Sequence, residues 1–297
     1  MLVYGRLKKE FMNKLEIPCS YQGGKQRLAK NIVDIILRDN PQLLEEDDDT
    51  YFYDLCCGSG AISMEMINRG VNYLKIIMVD ASPWGLFWKK IGDTTFSSEV
   101  FKYYIDDIPK DITKIKDYAK QMIQKPANDG LFDNMIYKFL ILQSCAFGST
   151  ATWVEDNQWK KAGGLRDYWL PTEKSNRRSP VNPMMPMPNS LFERVENISF
   201  QLDDIRGYCD DINNIDIKNN SIIYIDPPYN KTCKYGYDLD YIEYIHKINK
   251  SNVIYLSEGK QLTDNAICLS KGRNKGGING GKNKQPNEEW LNIYNKT

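Results

Sequence analysis

The strongest constraint on this chain is a short apolar run that stops on an acid: residues 221–225, Ser-Ile-Ile-Tyr-Ile, followed by Asp226, Pro227, Pro228 and Tyr229. Five residues are too few for a buried helix. Their β-branched content, with polar residues on both sides, reads as a strand covered on both faces, the kind found in parallel sheets. The expected fold class is therefore α/β, and Asp226 is expected at the carboxyl end of the strand, outside which open α/β sheets bind ligands.

The residues after Asp226 suit a planar amine. Neither proline has an N–H and each has a fixed φ, so together they make a stiff turn whose carbonyls point outward as acceptors. An exocyclic amine on a nucleobase is a poor nucleophile, because its lone pair is delocalised into the ring. The Asp226 carboxylate and the Pro227 carbonyl offer two acceptors for its two hydrogens and favour the pyramidal geometry that attack requires. Tyr229 offers a flat face on which a base turned out of the duplex can stack, worth about 1–3 kcal/mol.

An earlier segment has the pattern of a βαβ unit. Residues 51–55 read as a strand containing Asp54, Gly58-Ser59-Gly60 as its turn, 61–68 as a helix, and 74–79 as the next strand, ending at Asp80. Such a turn lets a ligand approach the backbone at Cys56 and Gly58 closely, and Asp80 is placed to accept hydrogen bonds from ribose hydroxyls. A dinucleotide fingerprint would want a third glycine at position 63, where this chain has Ser63, which counts against NAD and leaves another adenosine-bearing ligand open. Before this unit, the loop Tyr21-Gln22-Gly23-Gly24-Lys25 opens a helix expected over 26–38, supplying an aromatic face and a cation.

Between 83 and 147 the pattern is mainly helical, strongest over 112–123 and 132–147. Residues 148–189 then mix Trp153, Trp159, Tyr168 and Trp169 with Lys160, Lys161, Arg166, Lys174, Arg177 and Arg178, ending in a proline-rich stretch, and are expected to form an irregular insert or lid. Further strands are expected over 198–202, 252–256 and 289–294. The formal net charge is zero, so the whole-protein field gives no argument for nucleic acid; these local basic clusters do. The seven cysteines lack zinc-site spacing, and no metal is expected. No apolar run approaches the roughly 18 residues needed to span a bilayer, and residues 1–16 lack a signal-peptide core. A cytoplasmic protein with no membrane partner is expected.

In motif order the chain resembles the Dam-type DNA adenine-N6 methyltransferases of the alpha group. A Gly-Gly-Lys loop comes first, then the turn Asp54-Leu55-Cys56-Cys57-Gly58-Ser59-Gly60, then an insert, then Asp-Pro-Pro-Tyr. Residues 252–257 and 289–294 look like the family's next and last core strands. Between them, residues 271–284 carry five basic residues, five glycines and no acid, suiting a loop that contacts phosphates. The resemblance implies a Rossmann-like methyltransferase sheet formed by 1–90 and 190–297, with 91–189 as a helical and target-recognition insert. It implies S-adenosylmethionine as cofactor, with Tyr21, Gly24, Lys25, Asp54, Cys56, Gly58, Ser59, Gly60, Asp80, Asp204 and Asp226 on the cofactor side. Asp226, Pro227, Pro228 and Tyr229 are implied as the catalytic set. The block 139–169 departs from the family pattern, so no recognition sequence carries over.

The expected reaction is direct in-line transfer of a methyl group to the N6 of a flipped adenine in double-stranded DNA, by a monomer, in a prokaryotic or phage-infected cell, with a cognate restriction endonuclease as a possible partner. N4-cytosine methylation is the nearest alternative, although those enzymes more often carry serine in place of the aspartate. RNA or protein amides are a second alternative. A DNA-binding protein that keeps the fold without catalysis is a third.

Overall fold

The computed structural model describes residues 13–130, 134–227, 241–271 and 288–296. Pro228 and Tyr229, and all of 271–284 except Lys271, lie outside the described residues. The described helices are α1 (Ala29–Asp39), α2 (Ala61–Asn68), α3 (Pro83–Gly92), α4 (Ser98–Asp106), α5 (Ile115–Gln124), α6 (Met135–Cys145), α7 (Pro188–Gln201) and α8 (Tyr241–Ile248). The strands are β1 (Phe52–Leu55), β2 (Ile76–Val79), β3 (Thr152–Glu155), β4 (Gln158–Lys161), β5 (Arg206–Tyr208), β6 (Ile222–Ile225), β7 (Val253–Glu258), β8 (Ile267–Lys271) and β9 (Glu288–Tyr294).

Seven strands form one sheet in the order β5-β2-β1-β6-β7-β9-β8. The first five are mutually parallel; β9 runs antiparallel to both β7 and β8. This is a mixed α/β architecture with a mostly parallel central sheet, as in Rossmann-like folds. The central strands are short and continuously apolar because both faces are covered. Phe52, Met78 and Tyr224 face one core shared with Ile32, Met64 and Trp84 of α1, α2 and α3. Leu55, Val79 and Ile225 face the other, covered by Tyr241, Tyr244 and Ile245 of α8.

The crossover from β2 to β5 carries the whole insert. Phe101, Ile105, Phe139 and Leu140 of its helices belong to the same apolar cluster as Phe52 and Met78, so the insert's helices share the sheet's core. The insert is less irregular than its composition suggested. β3 and β4 pair as an antiparallel hairpin whose two turn residues, Asp156 (φ 50°) and Asn157 (φ 56°), are both left-handed, as a type I′ turn requires. The turn is tied down: Ala127 N–H donates to the Asn157 carbonyl at 2.9 Å, and Asn128 N–H to Asn157 Oδ1 at 2.7 Å.

Other expectations need correcting. Residues 198–202 are not a strand but the last turn of α7 and its cap. The alternation of Ile198, Phe200 and Leu202 mimics a strand, yet Leu191, Val195, Ile198 and Leu202 have helical spacing. All four are fully buried, whereas Phe200 is 77% exposed. β5 and β8 were not anticipated. β5 is only three residues with a central glycine, and a Cβ at Gly207 would lie 2.2 Å from the Trp88 carbonyl carbon, so glycine is what lets α3 lie against this strand. α1 begins at Ala29 rather than 26; residues 26–28 before it form a turn in which the Lys25 carbonyl accepts from both Leu28 and Ala29. Among the described residues no helix is long and apolar enough to cross a membrane.

Candidate active site

The chain leaves β1 to form β2 on one side, and returns to form β6 on the other. The strand order therefore reverses between β1 and β6, and the crevice outside their carboxyl ends is where such sheets bind ligands. Asp226 stands there, its N–H donating to the Leu55 carbonyl at 3.3 Å. The 56–60 turn leaves β1 beside it, Asp80 follows β2, and Glu258 ends β7.

The turn is clamped from several sides. Cys57 N–H donates to the Val79 carbonyl at 3.0 Å, Gly58 N–H to Asp80 Oδ2 at 2.7 Å, and Trp88 Nε1–H to the Gly58 carbonyl at 2.9 Å. Cys56 takes φ 60° without being glycine, a conformation that costs about 1 kcal/mol or more and clusters at ligand sites. The Tyr21 ring covers Gly58, where an added Cβ would lie 3.2 Å from Cδ1, and meets Trp84 edge-on at 5.9 Å. Gly24 makes the loop before α1 tight enough for its N–H to reach the Tyr21 carbonyl at 3.0 Å. Ser59 Oγ is buried in the turn with no hydrogen-bond partner among the described residues.

Gly60 combines φ +80° with a close approach: a Cβ there would sit 2.5 Å from Trp88 Cζ2 and 2.8 Å from Met78 Cε, both on fully buried side chains. Gly60→Ala is expected to cost about 3 kcal/mol in urea denaturation, from backbone strain plus overpacking. Gly58→Ala meets only the half-buried Tyr21 ring and should cost roughly 1 kcal/mol. Equal losses at the two positions would count against this account of the turn.

Asp54 and Asp80 have defined partners. Asp54 accepts from Ser63 Oγ at 2.6 Å and Ser63 N–H at 3.2 Å, tying β1 to the first turn of α2. Ser63, the departure from the dinucleotide fingerprint, thus has a structural task. Asp80 accepts from Gly58 N–H, from Ser82 N–H at 2.9 Å and from Ser82 Oγ. Burial pushes the Asp54 carboxyl up to about 7 against the hydrogen bonds from Ser63, and raises Asp80 despite those from Ser82 and Gly58.

Lys25 joins the two ends of the sequence. Its ammonium donates to Asp226 Oδ1 at 2.6 Å and to the Gly23 carbonyl at 3.0 Å, and lies 3.5 Å from Glu289 Oε1 on β9. These contacts tie the lysine to the loop before α1, to Asp226 and to β9, so Lys25 serves as an internal clamp. Glu258, also at this edge, accepts from Tyr241 Oη at 2.6 Å and from Gly259 N–H at 2.7 Å. Carboxylates outnumber the lysine. Burial pushes Asp226 up to about 6 against the pull of Lys25, with the charges of Glu289 and Glu258 adding to the rise. Burial works against the Lys25 ammonium, but Asp226 and Glu289 outweigh it and hold it above its ordinary value.

Of the residues expected at the site, the fold brings Tyr21, Gly24, Lys25, Asp54, Cys56, Gly58, Ser59, Gly60, Asp80, Asp226 and Pro227 to this edge. It does not bring Asp204. That residue precedes β5, which runs parallel to β2, so it stands at the amino end of the sheet, lining an open groove of about 350 Å³ outside β5 with Lys89 and Asp93. The acids that topology carries to the correct end are Asp210 and Asp211, just past β5, where the Tyr208 carbonyl accepts from Asp80 N–H at 3.1 Å. Recognising β5 in Arg-Gly-Tyr would have pointed to them. Glu258 and Glu289 were also missed as site acids; each lies at the end of a strand that the sequence did indicate. Searched against family models the chain matches none, and no curated protein matches it.

Proposed function

We propose that the protein is a DNA methyltransferase acting on the exocyclic amine of adenine. The observation that carries this reading is a largely enclosed carboxylate, Asp226, held by Lys25 at the topological switch point and directly preceding Pro227. The mostly parallel sheet, with β9 reversed between β7 and β8, is compatible with the Rossmann-like methyltransferase sheet that the motif order implies. Exposed Lys160 and Lys161 on the hairpin, with Lys174, Arg177 and Arg178 exposed beyond it, support a polyanionic partner.

The residues present fit S-adenosylmethionine. Ser59 Oγ is an unpaired buried group inside the turn, Asp80 follows β2 at the adjacent strand end, and the local excess of carboxylates favours a cation such as a sulfonium. Ser59, Asp80 and the backbone of the 56–60 turn would hold it, and when bound it supplies an electrophilic methyl group. Asp226 and the Pro227 carbonyl accept the hydrogens of the target amine, orienting its lone pair. As the nitrogen gains positive charge, the Asp226 carboxylate stabilises it, and a proton leaves only after the nitrogen has become acidic. Much of the rate comes from positioning, which can supply about 7–11 kcal/mol.

Incubating the protein with double-stranded DNA and methyl-labelled cofactor, followed by nucleoside mass analysis, should yield N6-methyladenine; label confined to cytosine, RNA or protein would overturn the adenine assignment. Only ionised Asp226 accepts from the amine in full, and its carboxyl is raised to about 6. The rate constant kcat/KM should therefore fall as pH drops through about 6, one order of magnitude per unit below it.

A further inference from the structure

Lys25 Nζ lies between two carboxylates that reach it from different strands, Asp226 after β6 at 2.6 Å and Glu289 on the reversed strand β9 at 3.5 Å. Two oxygens this close to one nitrogen are no more than about 6 Å apart, within the range where like charges act strongly on each other. All three side chains are largely enclosed, at 6%, 15% and 16% exposure, so solvent screens them little. A lysine hydrogen bond spent on Asp226 withdraws electron density from the oxygens that must accept the substrate amine.

We propose that Glu289 is a positioning residue that shares Lys25 with Asp226, limiting the lysine's hold on the carboxylate so that Asp226 keeps its acceptor strength for the target amine. The proposal rests on the methyl-transfer reading for its rate effect, but the coupling between the two carboxylates exists whatever the substrate. Described groups that act on Asp226 besides these two include Glu258 from β7, Asp54 and Cys56 from β1 and its turn, and Tyr224 from β6. Of these, Glu258 is held by Tyr241 and Gly259, and Asp54 by Ser63. Glu289 meets Lys25 directly, its Oε1 3.5 Å from the ammonium nitrogen. With the Glu289 charge removed, the lysine's hold on Asp226 strengthens, so that carboxyl titrates lower while its bond to the amine weakens.

The test is Glu289→Gln in the full chain, with Glu289→Asp as the conservative control. Glu289→Gln should lower kcat about five- to tenfold with KM for DNA unchanged, and should move the acid limb of the pH profile down by about half a unit or more; Glu289→Asp should restore both. A folded Glu289→Gln variant whose limb stays in place overturns the proposal, because a merely structural role lowers the rate without moving the limb. A readout free of activity separates this from the functional reading. The carboxyl carbon of Asp226 in aspartate-labelled protein, assigned by its absence in Asp226→Asn, should titrate at lower pH in Glu289→Gln. If wild-type protein transfers no methyl group, the methyltransferase reading falls while this titration still decides the coupling; an unchanged titration overturns the coupling itself.

Discussion

Replacing Asp226 by asparagine is expected to leave a folded protein in which methyl transfer falls by about 10³-fold, in kcat rather than in KM for DNA. Asparagine preserves the shape and one acceptor oxygen, but it removes the negative charge facing the nitrogen as that nitrogen becomes cationic. Losses of 10²–10³ are typical when one preorganised electrostatic partner is deleted from an enclosed site. The fold should survive, and the sign of the titration says why. A carboxyl whose folded pKa is raised from about 3.8 to about 6 makes the folded state progressively less stable as pH rises between those values, with the full penalty present above 6. The neutral amide removes that penalty. Lys25 loses the charge of its nearer partner, an opposing effect, but keeps Glu289 and the Gly23 carbonyl. Single-turnover transfer of labelled methyl groups, with thermal unfolding at pH 7 as control, measures both. A folded variant retaining more than a tenth of the wild-type rate would remove Asp226 from the catalytic role.

The site was legible where one residue type had to meet one backbone demand. The buried strand ending at Asp226 could be read because only a two-sided parallel strand explains so short and branched an apolar run. Likewise Gly58 and Gly60 stand where the backbone is left-handed and other side chains press close, so their spacing announced a turn. Legibility failed where the signal was packing across the molecule. β5 is defined by its pairing with β2 and by α3 lying against Gly207, neither of which leaves a periodicity in three residues. With β5 unread, the resemblance points to Asp204, which precedes that strand, whereas Asp210 and Asp211 follow it. The hairpin had a readable signal, Asp156-Asn157 between two tryptophan-bearing stretches, but the basic and aromatic composition around it suggested irregularity first. Glu289 could not be assigned from sequence, because its meaning depends on a lysine 264 positions earlier reaching the same crevice.

That lysine yields the sharpest contrast with Glu289. Lys25→Met keeps the unbranched apolar stem of the side chain, one atom shorter, while removing the positive charge between Asp226 and Glu289. Both carboxylates then face each other without it, so Asp226 should titrate well above its present value of about 6, toward or beyond neutrality. Transfer at pH 7 is expected to fall about 100-fold, and to recover in part as pH is raised to 9 and the carboxyl ionises. The acid limb therefore moves up in Lys25→Met and down in Glu289→Gln, opposite displacements from neighbouring changes in one cluster. Stability should follow the same charge logic. Removing one partner of a buried pair costs about 3–5 kcal/mol when the remaining charge is uncompensated. A raised carboxyl pKa makes that cost fullest above the folded pKa and relieves it below, where the group is neutral. Urea unfolding at pH 8 should show most of the loss and unfolding at pH 5 much less. If Lys25→Met is instead destabilised equally at both values, and its residual activity shows no recovery at high pH, then Lys25 is not holding the charge of Asp226 and acts only through the loop it ties to Gly23.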